Sequence, residues 1–243
     1  MTDLVLDAMA AHIDHLVVVA HDLAQGIAWC EATLGITPGP GGEHALFGTH
    51  NRLFKIATST HPTVYFEIIA INSEAARAYS KVAKRWFDMD NLALQAAVAQ
   101  QPKLVHFVAS VSNASAACEA LKSLGIDRGQ VLQASRPTPS GLLQWQITVR
   151  DDGQRLFHGA LPTLIQWGQQ GADPALAVHP THTMDDSGLT LQRLSVSHPD
   201  AAALRLAYQA IGLDAVSVTQ GTANVCAELH TPRGVVRLNS SGL

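Results

Sequence analysis

IDHLVVVAHDLAQGIAWCEATLGI, residues 13–36, opens with an apolar run of strand length and continues past Asp22 as a helical stretch that stops at Gly35. The same grammar returns as KLVHFVASVSNASAACEALKSLGI at 103–126 and as LQRLSVSHPDAAALRLAYQAIGL at 191–213. In each copy a helix-capping residue, Asp22, Asn113 or Asp200, stands seven positions after a fixed point, His15, His106 or Arg193. Asp and Asn side chains accept hydrogen bonds from the unpaired N–H groups of a first helical turn. The helical stretches end at Gly35, Gly125 and Gly212, 20 positions after the fixed point in the first copy and 19 in the other two. Glycine takes the left-handed conformation that commonly terminates a helix. Spacing this regular in three places marks an internal repeat.

After each glycine the texture changes to short β-prone segments between turn residues. The first copy offers HALFG, NRLFKIAT and VYFEIIAI, the second QVLQA, GLLQWQITV and PTLIQWG, and the third AVSVTQ, ANVCAELH and GVVRLNS. Each unit therefore reads as strand, helix, three strands, which predicts an α+β fold of tandem βαβββ modules. The expected boundaries are 12–72 for the first module, 103–180 for the second and 190–243 for the third. The alanine-rich stretch 73–102 is expected to supply one or two connecting helices, and 181–189 a linker.

Composition narrows the function classes. With 243 residues, 47% hydrophobic and 15% charged, the chain can bury substantial cores. A net charge of −4 offers no electrostatic footprint for nucleic acid or an anionic membrane. No apolar run approaches the roughly 20 residues of a membrane span, and the N-terminus lacks the basic start of a signal peptide. Cys30, Cys118 and Cys226 lie far apart and form no C-x-x-C pair, so a reducing compartment is expected and the localisation reads as cytoplasmic. The expected partner is a small-molecule substrate, and a third module left without a mate is compatible with a homodimer.

Tandem βαβββ units with histidine in a first strand and a carboxylate in a last strand resemble the vicinal oxygen chelate superfamily. Its members include glyoxalase I, extradiol dioxygenases and bleomycin- or fosfomycin-resistance proteins. The stretches IDHLVV, GGEHALFGTHNRL, YFEIIA and LIQWG, with the later HP, are most similar to its glyoxalase-like branch. The resemblance implies the glyoxalase/bleomycin resistance/dihydroxybiphenyl dioxygenase fold, with modules one and two pairing to form a cleft. It also implies a divalent metal (Zn, Ni, Mn, Co or Fe) held by the first- and last-strand residues His15, Glu67, His106 and Gln166. Arg193 and Arg237 occupy the corresponding places of the third module. A cation does not ligate a metal, so that module is expected to be structural, covering an edge or supporting a dimer.

On this resemblance the expected function is that of a metal-dependent lyase or isomerase acting on a small carbonyl, hydroxy or thiol-adduct substrate through a metal-stabilised enediolate. Glu67 is the base, because Gln166 cannot take a proton. The alternatives are a binding or resistance protein using the same cleft, and an Fe(II) ring-cleaving dioxygenase built on His15, His106 and Glu67. Each residue also has a plainer reading. His15 and His106 read equally as strand histidines satisfied by the core or a backbone carbonyl. Gln166 reads rather more readily as a hydrogen-bonded buried amide than as a ligand. Glu67, inside an apolar strand, would be costly to bury without a partner. His44 and Asn51 are candidates to hold a polar substrate, although the recurrence of Gly-Thr-x-Asn at 221–224 favours turn chemistry for Thr49 and Asn51.

Overall fold

Residues 10–74, 84–138, 141–168 and 178–242 are described by a computed structural model. Three copies of the order strand, helix, three strands follow one another. The first comprises β1 (His12–Val19), α1 (Leu23–Leu34), β2 (Glu43–His44), β3 (Thr49–Lys55) and β4 (Tyr65–Ile71). After α2 (Leu92–Gln100) come β5 (Lys103–Ser110), α3 (Ala114–Lys122), β6 (Gln130–Thr138), β7 (Gly141–Val149) and β8 (Thr163–Trp167). The third comprises β9 (Thr190–His198), α4 (Ala201–Ile211), β10 (Ser217–Gln220), β11 (Asn224–Thr231) and β12 (Gly234–Asn239).

The caps form where the repeat places them. Asp22 accepts from Gln25 N–H at 2.8 Å, Asn113 from Ala116 N–H at 2.9 Å and Asp200 from Ala203 N–H at 3.2 Å. Gly35 and Gly212 close their helices with φ of 81° and 66°, a region costly for any residue with a Cβ. The stretch HALFG differs from expectation. Only Glu43–His44 is a strand, and 45–48 turn back through Gly48 at φ 61° to start β3.

The first two copies share one eight-stranded sheet in the order β2-β3-β4-β1-β5-β8-β7-β6. Within each copy the first strand runs parallel to the last, and β1 and β5 pair antiparallel at the centre. The sheet curls until its outermost strands, β2 and β6, touch. The third copy keeps the element order but not the pairing. Its sheet runs β10-β9-β11-β12, with the strand after the helix lying parallel to β9. It packs on a face of the large sheet, whereas an edge was one of the two roles expected for it. Leu194, Val196, Val225 and Leu229 share one core with α1, α3 and the outer side of the large sheet.

The inner side of the large sheet carries a second core of Val17, Val19, Ile69, Val105, Trp145 and Ile165. The connection between the first two copies fills this side with Trp86, Phe87, Met89 and, from α2, Leu94 and Val98. Residues 75–83, expected to be part of a helical connection, lie outside the described residues. Among the described residues no helix is long and apolar enough to cross a membrane.

The seat of α1 fixes the strand that carries Glu67. A Cβ on Gly26 would lie 2.5 Å from Ile68 Cγ2, so helix and strand meet at a distance only glycine allows. Gly26→Ala is expected to cost about 2 kcal/mol, because overpacking outweighs the helix propensity that alanine adds. Denaturant unfolding checks this, and a stabilised variant would refute the close seat.

Candidate active site

A β-bulge builds the first part of the site. The β1–β5 register shifts between Ile13 and His15, so Ile13 joins the outer core while His15 turns inward with Val17 and Val19. The irregularity lets neighbouring side chains meet: His15 Nδ1–H donates to Asp14 Oδ1 at 2.6 Å. Asp14 is fully buried and receives two further donors, Trp167 Nε1–H at 2.8 Å and His179 Nε2–H at 3.3 Å, both on Oδ2. Burial alone would raise the Asp14 carboxyl. The hydrogen bonds and charge of His15 and His179 outweigh it and pull the group well below the usual carboxylate range.

Glu67 enters from β4, which runs beside β1 with Glu67 opposite Val17. Its Oε2 lies 3.6 Å from His15 Nε2, and its Oε1 accepts from the Asn51 amide at 2.6 Å. Asn51 is held in turn by Gly42 N–H, which donates to its Oδ1 at 2.8 Å. Desolvation raises the Glu67 carboxyl above its ordinary 4.5, against the opposing pull of His15, the Asn51 hydrogen bond and Arg136. His44 packs edge-on against Trp86 at 5.0 Å, with Nδ1 3.0 Å from Thr49 Oγ1. Burial, with Arg136 and His15 nearby, pushes its imidazole down to about 3, so it is neutral.

The four expected metal donors are not brought together. His15 and Glu67 meet, but both ring nitrogens of His106 are spent elsewhere. Nδ1–H donates to the Gly159 carbonyl at 2.8 Å, and Nε2 accepts from Thr163 N–H at 3.0 Å. Burial, with Arg128 and Arg155 nearby, keeps that ring well below the ordinary histidine value. Gln166 fails by one residue of register. On β8, Ile165 belongs to the inner core and Leu164 to the outer, so Gln166 shares the outer face, where its Oε1 accepts from Ala114 N–H at the start of α3. Among the described residues no three His, Cys, Asp or Glu side chains are placed to hold a metal ion. A ligand pair of His15 and Glu67 is short of the three or four protein donors of a closed or catalytic metal site. The residues present therefore do not fit the expected centre, and the chemistry below runs on the chain's own side chains.

His106→Ala is expected to lower stability by about 3 kcal/mol, since it opens a cavity and strands buried polar groups at Gly159 and Thr163. Elemental analysis of the same variant is expected to match the wild type. Stoichiometric metal that disappears with His106 would restore the ligand assignment.

The walls also include Tyr65, Trp86, Arg136 and Trp167, none of them singled out from sequence as a site residue. Tyr65 stacks on His15 at a centroid distance of 4.5 Å. Trp86 lies flat on Phe47 at 3.9 Å, and its buried Nε1–H has no partner among the described residues. Phe87 and Asp88 hold left-handed backbone angles of 59° and 58°, a conformation that the Asp88–Arg155 ion pair at 2.9 Å helps to fix. The pocket that His15 and Glu67 help to line is about 30 Å³. It shares Leu53, Arg136, Leu143 and Pro180 as walls with a cavity of about 620 Å³.

Residues 13–212 match the family described as a glyoxalase-like domain. Among solved structures, a hypothetical protein from Staphylococcus aureus aligns with 94% of this chain and 85% of its own at 14% identity and a TM-score of 0.57. A methylmalonyl-CoA epimerase from Streptomyces coelicolor, in complex with 2-nitronate-propionyl-CoA, aligns with 63% of this chain and 92% of its own at 18% identity and a TM-score of 0.39. A 4-hydroxymandelate synthase mutant from the same organism covers 95% of this chain with 62% of its own at 11% identity and a TM-score of 0.44. No curated protein matches. At 14% identity the likeness to the Staphylococcus aureus protein is one of fold.

Proposed function

Since the chain belongs to the glyoxalase-like domain family, we propose that it is a lyase or isomerase that moves a proton at the carbon beside a carbonyl, with Glu67 as the base. The observation that carries this reading is the buried pair His15–Glu67, backed by Asp14 on one side and Asn51 on the other. A carboxylate stripped of water holds a proton more tightly, which brings it nearer to the requirements of a carbon acid. In the step itself the C–H bond breaks, its electron pair moves into the carbonyl as an enolate, and the proton goes to Glu67. His15 Nε2 stands beside it to relay that proton, and the Asp14 carboxylate stabilises the imidazolium that the relay forms. The Trp86 Nε1–H, without a partner among the described residues and in the wall of the same pocket, is a donor suited to the developing oxygen charge.

Proton NMR in deuterium oxide tests this with 2-oxo acids, hydroxyketones and the hemithioacetal of methylglyoxal. Wash-out of the α-proton is expected for at least one of them. No exchange across the panel, or exchange that survives Glu67→Gln, removes the reading.

One observation favours a second reading, a small-molecule binding protein without turnover. The space at Glu67 holds little more than one or two waters, whereas the neighbouring cavity has the size of an ordinary ligand pocket. A ligand-dependent rise in melting temperature with no exchange would establish it. The iron dioxygenase reading is compatible with the same family; of its three expected ligands His15 and Glu67 meet, while His106 bonds Gly159 and Thr163.

A further inference from the structure

Arg136 stands at the neck between the small pocket and the large cavity, on β6 opposite Leu143. Among the described residues it is the only lysine or arginine in either wall. It is half-buried, yet no hydrogen bond or ion pair of its side chain is found among the described residues. Backbone, rather than a carboxylate, confines it. A Cβ on Gly42 would come within 2.2 Å of Arg136 Nη1, so the glycine makes room for the guanidinium where β2 and β6 touch.

The acids around it are accounted for elsewhere. Asp14 is enclosed by its three donors, and Glu67 is held by Asn51 and His15. Asp185 and Asp186 line the same cavity but are exposed, where solvent screens them, and neither forms an ion pair with Arg136 among the described residues. Arg136 is close enough for its charge to act on Glu67, His44 and Tyr65. A guanidinium kept half out of water without a counter-ion is a site for one, since its fork of donors matches an oxyanion. The cavity beside it is walled by Ile36, Leu53, Phe54, Leu142, Leu143 and Met184.

We infer that the ligand is an anionic amphiphile: its carboxylate or phosphate sits on Arg136 at the neck and its apolar body fills the large cavity. This places the anionic group next to the base, so that the reacting carbon is the one adjoining the anionic head. In that last respect the inference rests on the proton-transfer reading above.

Isothermal titration calorimetry of the whole chain with octanoate, octyl phosphate and neutral octanamide, together with their shorter and longer homologues, tests it. The anions are expected to bind about tenfold more tightly than the amide of equal length, the range of one charge-assisted pair. Arg136→Gln is expected to remove that preference by bringing the affinity for both anions down to that for octanamide, and Arg136→Lys to keep part of it. Octanoate ahead of octyl phosphate assigns a carboxylate, and the reverse assigns a phosphate. Equal affinity for anion and amide in the wild type, or no binding at any chain length, overturns the inference without recourse to a variant. Because binding is read without turnover, a retained anion preference in a protein that exchanges no proton sinks the enzymatic reading alone.

Discussion

Asp14→Asn is expected to destabilise the protein by about 3 kcal/mol at neutral pH and to flatten its response to acid, the lower end for breaking a buried charge pair. The carboxylate is fully enclosed and accepts from three elements: His15 on β1, Trp167 on β8 and His179 in the segment after it. An asparagine has one acceptor oxygen where the carboxylate has two, and it turns an amide N–H towards groups that are themselves donors. The sign of the pH effect follows from the depressed pKa. A carboxyl more acidic in the folded than in the unfolded chain adds stability that is fully present above its unfolded value, 3.8. That stability is lost as pH falls below 3.8 towards the folded value. Urea unfolding at pH 7 and pH 3 should show the wild type losing more stability across that interval than the variant. A variant within about 0.5 kcal/mol of wild type at pH 7, the range of a neutral surface change, would show that the three-donor cage contributes little.

The repeat made the architecture legible because it is written in short-range chemistry. Asp22, Asn113 and Asp200 cap, Gly35 and Gly212 terminate, and those local demands do not depend on the rest of the chain. Strand pairing is a long-range matter. The third copy obeys the same local grammar, yet β10 lies against β9, whereas in the first two copies the strand after the helix lies farthest from the first strand. Side-chain direction was the weakest inference. A bulge turns His15 inward beside Asp14, and a second shift in the β1–β5 register falls next to His106. One residue of register sends Gln166 to α3 and brings Trp167 to the site. Asp14 was within reach of the reasoning that singled out Glu67, since each is a carboxylate inside an apolar strand that burial would penalise without partners. Arg136 had no such mark, because it joins the pocket only when the sheet curls enough for β6 to meet β2.

Glu67→Gln is expected to reduce proton exchange by between about 100- and 10,000-fold, the usual contribution of a positioned general base. The same substitution is expected to hold or raise stability at neutral pH. The glutamine oxygen can still accept from Asn51, so the buried amide keeps its partner. What disappears is a buried charge. Desolvation raises the Glu67 carboxyl, so the folded chain holds that proton more tightly than the unfolded chain does. Stability is then lost as pH rises from 4.5 through the folded value, and the glutamine variant escapes that loss. Catalysis runs the other way, because only ionised Glu67 accepts a proton, so the wild-type rate should climb with pH along a limb displaced above 4.5. Opposite signs for activity and stability in one variant are the mark of a group kept for chemistry at a cost to the fold. The two measurements separate a base from a scaffold residue. A Glu67→Gln protein that loses both activity and several kcal/mol of stability would identify the carboxylate as structural, and one that retains exchange would place the base elsewhere.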